Sequence, residues 1–129
     1  MRNLSPSFDL VRTLAQEFSD LQESTMYGSP AIKLGKRLIA CIASHRSAEP
    51  GSVVLRTDFE QRAALLAEDP GTFYLTEHYV NHPVVMVRMT RLQRDQVREL
   101  LAAARTAVIA HARKRVTRRE QSSPNRPRL

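Results

Sequence analysis

Residues 31–44 read AIKLGKRLIACIAS, and this stretch decides the fold. Ala31 to Leu34 and Arg37 to Ser44 are two apolar-rich runs on either side of Gly35. Glycine takes the positive φ that a tight hairpin turn requires, so the pair predicts two adjacent antiparallel strands. In the longer run both alternating sets are apolar: Leu38, Ala40 and Ile42 on one side, Ile39, Cys41 and Ala43 on the other. A strand apolar on both sides belongs in the middle of a sheet, covered on both faces.

Working outward from that hairpin, Glu23 to Tyr27 predicts a strand before it, broken by Gly28-Ser29-Pro30. Upstream, Phe8, Val11, Leu14, Ala15 and Phe18 recur at helical spacing, which predicts a helix from Pro6 to Phe18 with Ser5 as its cap. Downstream, His45 to Ser52 reads as a loop and Val53 to Arg56 as a strand. Thr57-Asp58-Phe59-Glu60 fits a capping box with Thr57 as cap, opening a helix that carries Phe59, Ala63 and Leu66 on one face and ends at Pro70-Gly71. Phe73 to Tyr79 is irregular or a short strand, and Val84 to Met89 is a clear one. The last helix runs from Arg94 to at least Ala110 on a stripe of Val97, Leu100, Leu101, Ala104 and Val108. The expected class is therefore α+β: a mainly antiparallel sheet of four to five strands with N-terminal, middle and C-terminal helices.

The chain has 129 residues, 42% of them apolar, enough for one core. Its net charge of +7 is unevenly placed. Residues 1–110 hold 13 basic and 12 acidic side chains, whereas residues 111–129 hold 7 basic side chains and Glu120 alone. The expectation is one domain over residues 1–111 and a basic, partly disordered arm over 112–129. Continued past Val108, the apolar azimuth of the last helix meets His111, Arg115 and Arg118, so the helix must leave the body near His111, ending there or projecting past the edge. A projecting helix would carry Lys114, Arg115, Arg118 and Arg119 within about 140° of arc, suited to phosphates. The plainer reading of the arm is a solvated, solubilising tail.

Met1 to Asp9 holds no apolar signal segment and no run is long enough to span a membrane, so a cytoplasmic location is expected. Cys41 is the one cysteine, which excludes an internal disulfide and any zinc site needing two thiolates; inside an apolar strand it reads as a small hydrophobe rather than a partner for His45. His78 and His82 stand four apart, but Pro83 favours a bend and no third ligand is near, so a structural role is expected and no metal. The four glycines each mark a turn, and Glu68-Asp69 point apart on a helix end, so neither a phosphate loop nor an acid–base pair is expected. Tyr27, Phe73, Tyr74 and Tyr79 suit base stacking or, more plainly, the core and its rim. The chain reads as a non-enzyme without a cofactor.

Several strings, taken in order, carry a resemblance. They are Pro30 to Lys36 in the hairpin, Val54-Leu55-Arg56, Leu65 to Phe73, Glu77 to Pro83, Val85 to Met89, and Arg98 to Leu101. Over about residues 24–104 they resemble the MmcQ/YjbR family. The resemblance implies a two-layer arrangement similar to type III secretion chaperones and a "double wing" role in DNA binding. Lys33 and Lys36 match the family's hairpin lysines; Arg37 stands where the family has an apolar or aromatic residue. The expected function is non-enzymatic binding of double-stranded DNA. Arg113, Lys114, Arg115, Arg118 and Arg119 would contact phosphates, with Lys33, Lys36 and Arg37 as a second contact. The alternative is a protein-interaction module, chaperone-like or a homodimer, without a DNA-binding role.

Overall fold

The computed structural model describes residues 6–121, and side chains within residues 8–114. Along the chain run α1 (Pro6–Ala15), β1 (Gln22–Met26), β2 (Ser29–Leu34), β3 (Arg37–Ile42), β4 (Ser52–Arg56), α2 (Phe59–Glu68), β5 (Phe73–Tyr74), a 3-10 turn at Glu77–Tyr79, β6 (Val84–Arg88), a second at Met89–Arg91, and α3 (Arg94–Gln121). The strands form one antiparallel sheet in the order β1-β2-β3-β4-β6-β5. Six strands exceed the expected four to five because the two-residue β5 pairs with β6. The α+β class and the antiparallel sheet stand as expected.

Both hairpins obey turn chemistry. Gly35 has φ +62, and the β1–β2 turn places Tyr27 at φ 54 and Gly28 at φ 81. Two consecutive positive φ values mark the turn whose twist matches that of the strands. The turn is tighter than the predicted Gly28-Ser29-Pro30 break, since Ser29 and Pro30 already pair with Met26 and Thr25.

The two-sided reading of β3 is right in kind and wrong in detail. Ile32 faces Ala40 while Lys33 faces Leu38, so Ile39 is an extra residue in β3. That bulge swaps the alternation. Ile39, Ala40 and Ile42 pack on one face, and Leu38, Cys41 and Ala43 on the other.

Helices α1 and α3 cover the first face. Leu14, Ile32, Ile39, Val85, Leu101 and Val108 are fully buried between them and the sheet. α1 stops at Ala15 rather than Phe18, because Glu17 and Phe18 bond back three residues to Leu14 and Ala15. Phe18 still packs on the core. The proposed Ser5 cap lies outside the described residues.

α2 differs from expectation in two respects. Its cap is Asp58, whose carboxylate accepts from the Gln61 N–H at 2.6 Å. Thr57 is drawn into the sheet instead: its N–H donates to the Pro83 carbonyl at 2.8 Å and its side chain is buried. No α2 residue is buried; Phe59 is 52% exposed and Ala63 is exposed, while Leu65 and Leu66 touch the core. The helix is held by Arg62, whose guanidinium donates to the carbonyls of Val80, His82 and Val84 at 3.1, 2.7 and 3.3 Å.

Among the described residues, no α-helix covers the second face. Ala31, Cys41, Val54, Val84 and Met86 are buried there beneath the segments around His45–Ala48 and Thr76–Tyr79. Polar contacts bind the two segments together. Ser47 Oγ lies 2.9 Å from Thr76 Oγ1, and the Tyr74 hydroxyl meets the Glu49 N–H at 2.8 Å and Ser52 Oγ at 2.6 Å. Arg88 grips Glu49 with two bonds of 2.8 and 2.6 Å. The His45 and His78 rings stack with centroids 3.6 Å apart.

Candidate nucleic-acid interface

The cationic residues of the hairpin and of α3 converge because α3 packs across β3. Leu34, Gly35 and Arg37 of the hairpin and Val108, Ile109 and Arg113 of α3 line one open depression. Lys36 is exposed in the turn beside it, and Arg113 and Lys114 are exposed on the helix. Lys33 stands apart: paired with Leu38, it belongs to the face without helices, where its charge acts on Cys41. Val108 is the last buried side chain among those described, and α3 continues as a helix to Gln121 rather than ending near His111. The side chains of Arg115, Arg118 and Arg119 lie outside the described residues.

Part of the positive charge elsewhere is neutralised: Arg12 meets Asp9 and Glu23, Arg88 meets Glu49, Arg98 meets Glu17 and Asp95, and Arg105 meets Asp20, whereas Arg46, Arg62, Arg91 and Arg94 make no described ion pair. Each of Glu17, Asp20 and Glu49 has its carboxyl pKa lowered, first by a hydrogen bond from its arginine. Among the described residues, no ion pair involves Lys33, Lys36, Arg37, Arg113 or Lys114. Arg105 is the last residue of α3 with a described acidic partner, and Arg113 follows roughly 12 Å further along the axis.

Arg56 joins this end unannounced by the sequence. It ends β4 beside the start of β3, is half-buried, and has its pKa lowered first by burial and then by the charge of Arg37. Only strand register brings the two arginines together.

The other candidates resolve differently. Cys41 is buried, and burial pushes its thiol up to about 11, so it is held protonated. His45 Nδ1 accepts the Ser47 N–H at 3.1 Å, so that lone pair is not offered to Cys41. Among the described residues, no group of three or more His, Cys, Asp or Glu is placed to hold a metal ion. Nor, among them, is any helix long and apolar enough to cross a membrane. Phe73 is buried and Tyr74 lies under the Arg88 guanidinium at 4.3 Å, whereas Tyr27 is 91% exposed at the end of the sheet away from the Gly35 turn. No family model, curated protein or solved structure matches this chain.

Proposed function

We propose that the protein is a non-enzymatic nucleic-acid-binding protein, with a YjbR-like layout, that grips the phosphates of double-stranded DNA at one end. Lys36 and Arg37 of the β2–β3 turn and Arg113 and Lys114 of α3 form the described part of the grip. Arg115, Arg118 and Arg119 extend it along α3. The supporting observation is the shared depression that brings hairpin and helix together where no described carboxylate neutralises them. Charge gathered in this way attracts a polyanion, and the arginine fork fits phosphate oxygens. Affinity of this kind is largely independent of base sequence.

The test is fluorescence anisotropy of the full chain on a short DNA duplex across a salt series. Four neutralised phosphates give a log–log salt slope of about −3.6. Changing Lys36, Arg37, Arg113 and Lys114 together to Gln, with the rest of the chain intact, makes the slope shallower and leaves the share carried by Arg115, Arg118 and Arg119. Absence of binding by the unaltered protein at low salt refutes the proposal. An unchanged slope in the Gln variant moves the contact away from the hairpin–helix end.

A further inference from the structure

The sheet face without helices carries a groove of about 680 Å³, within the range of small-molecule sites and distinct from the DNA-facing depression. Its floor is Leu38, Cys41, Val54 and Val84, its wall is Tyr79 with the stacked His45 and His78, and Arg56 stands at its edge. We propose that this groove binds a small organic monocarboxylate, whose apolar body lies on Leu38, Val54 and Val84 and whose carboxylate meets the Arg56 guanidinium.

Charge complementarity is the first argument. None of the described residues lining the groove is acidic. Arg56 is half-buried, its Nε donates to its neighbour's carbonyl, Thr57 O, at 3.1 Å, and no described carboxylate is in ion-pair reach. Asp58 acts on it only from a distance, its Oδ1 being occupied in capping α2. Burial disfavours the charge and Arg37 adds repulsion, so Arg56 is a cation partly removed from water without a matched anion. A carboxylate supplies that anion in the planar, two-bond geometry that a guanidinium favours.

The rest of the groove selects a single charge on an apolar body. His45 accepts the Ser47 N–H at Nδ1, which leaves its proton on Nε2 in the neutral ring, and burial lowers its pKa. The Cys41 thiol stays protonated. Arg56 is the one arginine lining the groove, and its single guanidinium matches one carboxylate. The walls are tied by Ser47–Thr76, Tyr74–Ser52 and Arg88–Glu49, so the site is formed before a ligand arrives.

A second observation is Tyr27, which lines the groove and is 91% exposed, its φ of 54 being what the β1–β2 turn requires. The fold gains no burial from this ring. As a lip over the groove mouth, it covers the apolar body of a ligand.

The test titrates the full chain with phenylpropanoate and, separately, with the neutral phenylpropanamide, following methyl NMR signals. The acid binds with a Kd of about 1 mM and the amide about tenfold more weakly. The shifts concentrate on Leu38, Val54 and Val84. Arg56→Gln brings the acid down to the affinity of the amide, and Tyr27→Gly weakens both. Equal binding of acid and amide to the unaltered protein, shifts confined to residues outside the groove, or no binding of either overturns the proposal without recourse to a variant. Retention of the preference for acid in Arg56→Gln overturns the role of Arg56.

Discussion

The two faces of this sheet are covered by different physical means. On one, α1 and α3 lay apolar stripes over Ile32, Ile39, Val85 and Val87, which are buried. On the other, short loop segments lie over Ala31, Val54 and Met86 and are fastened by particular polar contacts. Burial by a helix spreads its stabilisation over many side chains, each a fraction of the total. Burial by fastened loops concentrates it in a few bonds and leaves open space between them. Such space is what the groove is, which is why a ligand site belongs to the second face and the bulk of the stability to the first.

Matched truncations give the largest test of that contrast. Leu101 is 1% exposed on the helix face, and Leu101→Ala is expected to cost about 2–5 kcal/mol in urea unfolding, as wholly buried leucines do. Leu38 is only half-buried on the loop face, and Leu38→Ala is expected to cost about 1 kcal/mol or less. Equal losses would mean that both faces are packed alike, and the contrast would fail.

A smaller effect sharpens the same contrast. Tyr74→Phe removes the hydroxyl that accepts the Glu49 N–H and meets Ser52 Oγ. The expected cost is about 1–2 kcal/mol, read as faster amide exchange over residues 45–50 with α3 unchanged. Equal acceleration in α3 would show that the faces open as one unit.

What could be read in advance follows the same division. The helix face is periodic, so Val97, Leu101, Ala104 and Val108 could be picked from spacing alone, as could Phe8, Val11 and Leu14. The bulge at Ile39 left no local mark, because every residue from Leu38 to Ala43 is apolar and either register looks satisfactory. Thr57 and Asp58 are both good caps; the choice is made by the Thr57–Pro83 bond, a contact across 26 residues. The α2 stripe misled because Arg62, binding carbonyls of the segment before β6, replaces apolar burial as the anchor. In the candidate interface, Lys36, Arg37, Arg113 and Lys114 were visible as charge, but their meeting depends on how α3 crosses β3. Arg56 and the groove were not visible at all, since both arise from strand register and loop closure.

Acidification gives the subtlest test, because it acts on the loop face at one ring. His45 stacks on His78 at 3.6 Å with the rings 10° from parallel, and its Nδ1 is engaged by Ser47. Burial first, then the charges of His78 and Arg46, lowers its pKa below the ordinary 6.5. Between 6.5 and that lower value the unfolded chain holds a proton on this ring that the folded chain does not, so stability falls as pH drops through that window and is fully present above it. The Glu49–Arg88 clasp fails in a separate window, since the Glu49 pKa lies below 4.5 and its contribution is lost only as pH falls further. Acidification from neutrality should therefore loosen residues 45–50 first, with the clasp still formed and the helix face unaffected. Amide exchange measured across that range checks this, and His45→Gln should abolish the early step. A first step that persists in His45→Gln, or that appears equally in α1 and α3, would place the acid-sensitive group elsewhere and return the two faces to a single cooperative unit.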